Sequence, residues 1–277
     1  MSPHATDPTS YPDVNAVLRV LLPRVQAVLG DYFTGMYVHG SATSGDLDPQ
    51  RSDIDLLVVT TGELPEEMLP VLEAMHARIT ASGLKWAPKL EGSYIPVQAL
   101  RRYDPNNSQH PALRVDGSFD VDGHGSDWII QRHVIREKGI VVAGPAAQTL
   151  IDPVQPNELR RAVLGTLREW WAPQLHNHSR LQDREYQAYA VLTMCRALYT
   201  LQHGTVVSKV VAAKWGQQNL GERWAALIER ALVWEHGDTQ PDEMSETLGF
   251  MRHTLERTEQ FEKPSEAHGC GSFHNHP

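Results

Sequence analysis

Apolar and polar positions along the first half of the chain predict an α/β unit. Between Pro12 and Leu29 apolar residues recur every three or four positions, which predicts a helix, and Pro23 is expected to kink it. Apolar runs over 34–38 and 54–60 predict two strands. Further along, the pattern predicts a helix over 64–81, a strand over 89–100, a helix or strand over 128–138 and a strand over 140–143 that closes on a turn.

Two stretches show little periodicity. Residues 101–126 are rich in Asp, Gly, Asn and Pro, which favours a long loop over a functional site. The C-terminal tail contains Cys270 and three histidines. A disordered terminus is favoured there over a transition-metal site.

The pattern changes to helical spacing without a strand from Pro156 onward. This change places a domain boundary near Asp152. The predicted helices cover 158–171, 184–203, 209–215, 221–236 and 243–263. The expected division is a disordered N-terminus over 1–11, an α/β domain over 12–152, an α-helical domain over 153–263 and a flexible tail over 264–277.

The most informative polar residues surround the second predicted strand. Asp53 and Asp55 open that strand, and residues two apart on a strand point to the same face. Both carboxylates can therefore hold one hard cation such as Mg²⁺, which leaves coordination sites free for phosphate. The alternative is a strand with two solvated aspartates, and it is disfavoured because Asp is depleted in strands.

The turn before these aspartates carries groups that a triphosphate needs. Gly40 allows the backbone to approach a ligand closely, and the N–H groups of a following helix start favour an anion. Ser41 and Ser52 add hydroxyl donors. Turn and aspartates together indicate a nucleoside triphosphate site.

A third carboxylate is expected where the third strand begins. Transfer of a nucleotide to a hydroxyl needs a group that takes the hydroxyl proton, and a placed carboxylate can do so. Glu91 starts the strand that follows the predicted helix 64–81. A crossover through this helix would bring Glu91 beside Asp53 and Asp55. The alternative is an ordinary glutamate at a strand edge.

Composition narrows the class of protein. The 277 residues suffice for one large or two ordinary domains, and 41% are hydrophobic. No apolar run is long enough for a membrane span, the first residues lack a signal-peptide core, and two cysteines imply no disulfide framework, so a cytoplasmic protein is expected. The formal charge of −9 disfavours nucleic acid as a partner and suits a cationic small molecule.

These motifs resemble known families. Gly40-Ser41, Asp53-Ile54-Asp55 and a following strand acid are similar to the signature of the polymerase-β-like nucleotidyltransferase superfamily. The later segments 142–147, 152–154, 191–199 and 208–215 resemble the aminoglycoside 3''/9 adenylyltransferases, the streptomycin and spectinomycin resistance enzymes. The resemblance implies an N-terminal nucleotidyltransferase domain, a C-terminal α-helical bundle and a cleft between them.

The resemblance also implies roles for individual residues. Asp53, Asp55 and Glu91 match the metal-binding and catalytic acids, with Glu91 as the base. Trp234 falls near a position that lies against the nucleotide, although a core Trp is equally expected there. Arg196 lies in a matching helix and could serve only to orient it. The residues that match phosphate-binding positions are Gly40, Ser41, Ser52 and Lys209.

The chain departs from the family at 171–185, where its segment is longer and lacks the Trp associated with streptomycin. Asp183 and Glu185 could meet a cationic acceptor there, or could merely cap a helix. The resemblance implies Mg²⁺-dependent transfer of AMP from ATP to an aminoglycoside or aminocyclitol hydroxyl by a monomer, with spectinomycin slightly favoured. The alternatives are another small-molecule, protein or RNA-end acceptor, and a catalytically silent nucleotide-binding regulatory module.

Overall fold

The first half of the chain forms a mixed sheet of six strands. The computed structural model describes residues 7–45, 47–49, 52–234 and 243–262. The strand order is β5-β4-β3-β2-β1-β6, with β2 and β3 parallel and the other neighbours antiparallel. The strands are β1 (Phe33–Val38), β2 (Ile54–Thr60), β3 (Leu90–Pro96), β4 (Gln109–Leu113), β5 (Phe119–Gly123) and β6 (Ile140–Ala143).

Helices cover both faces of this sheet. They are α1 (Pro12–Leu29), α2 (Ser41–Ser44), α3 (Leu69–Thr80), α4 (Val97–Arg101), α5 (Asp127–Lys138) and α6 (Ala147–Leu150). Side chains alternate along β2, so Leu56 and Val58 pack with α1 and α3, whereas Leu57 and Val59 pack with α4 and α5. Asp55 lies on the same face of the sheet as Leu57 and Val59. This face turns toward the C-terminal half of the chain.

The second half is a helical bundle, as predicted. Its helices are α7 (Pro156–Thr166), α8 (Arg184–His203), α9 (Lys209–Asn219), α10 (Glu222–Val233) and α11 (Met244–Glu262). Helix α8 is central, because Ala190, Met194 and Leu198 are buried among the surrounding helices. In the described ranges no helix is both long and apolar enough to cross a bilayer.

Two predictions about the middle of the first half are wrong. The third strand ends at Pro96 and the chain continues as α4, where the prediction continued the strand to Leu100. The predicted loop over 101–126 contains the hairpin β4–β5, which extends the sheet. The hairpin is stabilised by distant contacts, because Phe119 stacks against His76 and packs edge-on to Tyr94.

The predicted disordered N-terminus differs where the structure describes it. Thr9 donates its hydroxyl to Asn15 Oδ1 at 2.7 Å and both side chains are buried, so the chain is anchored before α1 begins. Pro23 lies inside a continuous α1. Residues 1–6 and the Cys270 tail lie outside the described residues, and so do the last positions of the predicted helix 221–236.

Candidate active site

Two carboxylates face each other where β2 and β3 begin. The parallel register pairs Asp55 with Glu91, and their side chains share a hydrogen bond. Burial raises the pKa of Glu91 to about 8, and the charges of Asp55 and Asp53 act in the same direction. Asp53 lies one residue before β2, and burial followed by repulsion from Asp55 raises its pKa as well. The three predicted acids therefore form one cluster of negative charge.

Gly40, in the turn that follows β1, brings the backbone close to the acid cluster. Its φ of +63° favours glycine, and a Cβ atom added there would lie 1.8 Å from Asp55 Oδ2. The neighbouring His39 N–H donates to the carbonyl oxygen of Asp55 at 3.0 Å, which fixes the turn to β2. Ser41 then begins α2, where the Thr43 hydroxyl donates to the carbonyl of Gly40 at 2.8 Å. The turn and the acids are thus built as one unit.

Replacing Gly40 with Ala should strongly lower activity, because the new methyl group overlaps the Asp55 carboxylate. Gly45→Ala is a matched control: Gly45 also has a positive φ, of +79°, but no atom of the described residues lies within 4 Å of a Cβ placed there. Both variants carry the backbone strain of about 1 kcal/mol. Steady-state rates and melting curves should show a similar loss of stability in both, and a large loss of turnover in Gly40→Ala alone. Equal turnover would contradict the overlap.

Ser52 ties together the loop that leads into Asp53. Its hydroxyl oxygen accepts from Asp48 N–H at 2.9 Å, and its own N–H donates to the Asp48 carbonyl at 2.8 Å. The Lys89 ammonium donates to the carbonyls of Pro49 at 3.0 Å and Ser52 at 3.4 Å. Lys89 also lowers the pKa of Asp53 against the raising effects of burial and Asp55. The phosphate contact predicted for Ser52 stays a prediction beside this loop role.

The helical domain places a cation opposite the acids. Lys209 begins α9, and the charges of Asp55, Asp53 and Glu185 all favour its ammonium form. The protein packed around the ammonium withdraws it from water and lowers its pKa to about 8, and the positive charge of Arg196 acts the same way. The predicted residues Lys209 and Glu185 therefore lie together with the acids of the first domain.

Two other predicted residues have local structural roles. Asp183 is the N-cap of α8, because its Oδ1 accepts the Glu185 N–H at 2.9 Å. Trp234 follows α10 and is only 7% exposed, so its ring is packed within the protein. An adenine could stack on it only after its neighbours moved. The capping role of Asp183 and the core position of Trp234 are the alternatives that the sequence already offered.

The acid cluster fits a hard divalent cation by its chemistry. Three carboxylates supply the oxygen ligands that Mg²⁺ prefers, and their mutual repulsion would be relieved by a cation. Within the part of the chain that the structure describes, no three His, Cys, Asp or Glu side chains stand in a ligating arrangement. Asp55 and Glu91 instead share a hydrogen bond, and a cation bound between them would take its place.

Comparisons with known proteins agree with both halves of this architecture. The family model of the nucleotidyltransferase domain matches residues 26–105, and that of the aminoglycoside adenylyltransferase C-terminal domain matches residues 149–256. In both domains the chain is therefore similar to the aminoglycoside 3''/9 adenylyltransferases that the sequence resembles. It is an enzyme of the nucleotidyltransferase class, as predicted.

Individual relatives of this chain are distant but cover most of it. An aminoglycoside (3'') (9) adenylyltransferase from Klebsiella pneumoniae is 28% identical and covers 79% of this chain and 80% of its own length. A spectinomycin 9-adenylyltransferase from Campylobacter jejuni is 26% identical, with 79% and 82% covered. A crystal structure of spectinomycin adenyltransferase from Enterococcus faecialis with ATP and spectinomycin has the same fold, with a TM-score of 0.71 at 18% identity, covering 87% of this chain and 98% of that one.

Sequence reasoning missed two members of the candidate site. Lys89 lies two residues before Glu91, just before β3 begins. That spacing could have indicated that both side chains lie on one face. Tyr189 follows Glu185 by four residues on α8, which places both on one helix face. The ring centroid of Tyr189 lies 5.0 Å from the Lys209 ammonium, and the charge of Glu91 contributes to the raised pKa of its phenol after burial, the main cause.

Proposed function

We propose that this protein transfers AMP from ATP to a hydroxyl of spectinomycin or streptomycin and releases pyrophosphate. The observation that carries the proposal is the cluster of Asp53, Asp55 and Glu91 with Lys209 of the helical domain beside it. The relatives named above support the reaction and the class of acceptor. The charge of −9 suits a cationic drug.

Glu91 is suited to take the proton of the acceptor hydroxyl. Burial and the two neighbouring aspartates make its carboxylate a stronger base than an exposed glutamate. As the hydroxyl oxygen forms its bond to the α-phosphorus, the proton passes to Glu91. The bond from the α-phosphorus to the bridging oxygen breaks, and its electrons leave with pyrophosphate.

Asp53 and Asp55 would hold Mg²⁺, with Glu91 sharing it. When bound, the ion would neutralise charge on the phosphates. The protein's own contribution is geometric, because the β2–β3 register brings Asp55 and Glu91 together and the Gly40 turn holds the Asp55 carboxylate from the other side. Fixed groups of this kind need no rearrangement during the reaction.

Lys209 is the candidate ligand of the triphosphate, and its replacement by Ala should raise the Kd for ATP about tenfold. Lys209 begins α9, and the acids of the site favour its ammonium form. Its replacement by Ala therefore removes a positive charge that would pair with the triphosphate. Isothermal titration with a non-hydrolysable ATP analogue measures the effect. Lys85→Ala is the control, since Lys85 pairs with Asp13 at the surface at 3.3 Å. An unchanged Kd in Lys209→Ala would remove the triphosphate role.

The acceptor is tested by incubating the purified protein with ATP, Mg²⁺ and a panel of aminoglycosides. We expect mass spectrometry to find one AMP adduct on spectinomycin, on streptomycin or on both, together with released pyrophosphate. Expression in a susceptible bacterium should raise the inhibitory concentration of the same drug. Pyrophosphate release without a drug adduct would show a nucleotidyltransferase with another acceptor. Absence of both products would contradict the proposed reaction.

A further inference from the structure

Helix α5 belongs to the first domain but packs against both halves of the protein. It lies between β5 and β6 in the chain, on the sheet face that carries Asp55. Ile135 is fully buried against this face, whereas Ile130, earlier on the same helix, packs against the core of the helical domain. Packed interiors deform little, so a helix that contributes to two cores fixes their relative position.

A buried arginine fixes α5 to the segment that follows β3. The Arg132 guanidinium donates to the carbonyl of Leu100 at 3.0 Å and to that of Ala99 at 2.6 Å. Both carbonyls lie in α4, which directly follows the strand of Glu91. A third bond, at 3.3 Å, goes to the Trp128 carbonyl within α5 itself. Helix α5 is therefore held in place relative to the acid cluster.

The start of α5 meets α7 of the helical domain at unusually close range. A Cβ atom added to Gly165 of α7 would lie 2.8 Å from Ser126 Cβ and would overlap the serine hydroxyl. Carbon atoms in ordinary contact are about 3.5–4.0 Å apart. The two helices can approach this closely only because residue 165 has no side chain.

Hydrogen bonds cross the same contact. The Ser126 hydroxyl donates to Glu169 Oε1 at 3.0 Å, and the Ser126 N–H lies 3.5 Å from Oε2. Glu169 lies in the π-helical turn that continues α7. Burial raises the pKa of Asp127, and the charge of Glu169 adds to this effect across the contact. The contact of Ser126 with Gly165 and Glu169 is called the α5–α7 joint below.

The core of the helical domain connects this joint to Lys209. Val163 of α7, Ala190 of α8 and Ala212 of α9 are buried in one cluster. Lys209 begins α9, and its ammonium form is favoured by the charges of the acids, including Asp55. Because a packed core resists deformation, a displacement of α7 at the joint also displaces Lys209 relative to the acids.

We propose, resting on the triphosphate role proposed above for Lys209, that the α5–α7 joint fixes the distance between Lys209 and the acid cluster. Ser126 and Gly165 are positioning residues, since their close contact sets where the helical domain lies on the sheet. A misplacement of about 1 Å in a reacting site can cost about 10²-fold in rate. Glycine is required at 165 for this geometry, although alanine is the better helix former.

The first test is the Kd for a non-hydrolysable ATP analogue, measured by calorimetry with Mg²⁺. Gly165→Ala should raise it about tenfold and lower kcat at least tenfold, because the added methyl group separates α7 from α5. Gly249→Ala is the matched control: this glycine is also partly buried inside a helix, α11, and its new Cβ would lie 3.5 Å from the Trp224 ring, an ordinary contact. The control should stay within about threefold of wild type, and a Gly165→Ala enzyme that did the same would overturn the proposal.

Changes at Ser126 separate the joint from a general loss of stability. Combined with Gly165→Ala, Ser126→Gly removes both overlapping atoms and should restore the Kd to within about threefold of wild type. Ser126→Ala keeps the overlapping Cβ and should not restore it. A merely structural defect would worsen in the double glycine variant, because glycine weakens a helix start. Melting curves monitor folding, and a double variant with Ser126→Gly that folds but keeps the raised Kd overturns the proposal.

A cycle with Lys209→Ala tests the connection between the joint and the phosphate. If the joint acts through Lys209, adding Gly165→Ala to Lys209→Ala should change the Kd by less than about twofold. Fully additive losses would place the effect elsewhere and overturn the proposal. Wild type that binds no ATP analogue contradicts the proposed function. Wild type that binds it, with a Gly165→Ala Kd close to its own, contradicts the joint alone.

Discussion

Replacing Asp55 with Asn should abolish AMP transfer and leave the protein folded. The carboxylate is a proposed oxygen ligand of Mg²⁺, and an amide is a far weaker ligand for this ion. The fold should not suffer, because Asp55 contributes to the raised pKa of Glu91 and its charge is therefore a local source of repulsion. We expect an unchanged or slightly higher melting temperature with turnover below about a tenth of wild type.

Asp53→Asn is the companion variant, and Asp31→Asn is the control. Asp53 belongs to the same cluster, so its amide variant should lose activity as well. Asp31 lies in an exposed turn before β1, away from the acids, and its variant should keep wild-type turnover. Transfer assays with rising Mg²⁺ and thermal melts measure both properties. Turnover above about a tenth of wild type in both Asp53→Asn and Asp55→Asn would remove the metal position from the proposal.

Glu91→Gln should lower kcat by roughly 10²–10⁴-fold while ATP still binds. Glutamine has nearly the same shape and keeps a hydrogen bond toward Asp55, but it cannot take the proton of the acceptor hydroxyl. Calorimetry with an ATP analogue should give a Kd within about threefold of wild type, because the proposed triphosphate contacts are Lys209 and the Gly40 turn. KM for the acceptor should change little.

Glu73→Gln is the matched control for this variant, since Glu73 is exposed on α3, on the opposite face of the sheet. It should keep the wild-type rate. A Glu91→Gln enzyme that lost ATP binding yet kept a rate close to wild type would show that Glu91 is not the base.

Several parts of the fold and site follow from patterns within a few residues. The strand 54–60 and the helix 184–203 were predicted with the bounds that the structure shows. Short-range periodicity is enough there, because each element buries a regular apolar face. The pairing of Asp55 with Glu91 was predictable too, since a strand, a crossover helix and a second strand form a parallel pair with both acids at its start.

Contacts between residues far apart in the chain decided the rest. Pro96 was included in the strand but ends it, and β4 joins the sheet because β3 offers an edge to pair with. No local pattern in 101–126 encodes that edge. In the same way, composition alone could not show that Lys89 ties down the loop before Asp53.

The sequence by itself determined the two-domain architecture, the acid trio and the resemblance to the aminoglycoside 3''/9 adenylyltransferases. Only the tertiary structure brought Lys209, Glu185 and Tyr189 to those acids. The physical reason is the range of the interactions. Periodic burial and strand alternation act over a few residues and leave a record in the sequence. Electrostatic contacts between domains and cation–π contacts between separate helices depend on how folded surfaces meet, and no spacing along the chain encodes that meeting.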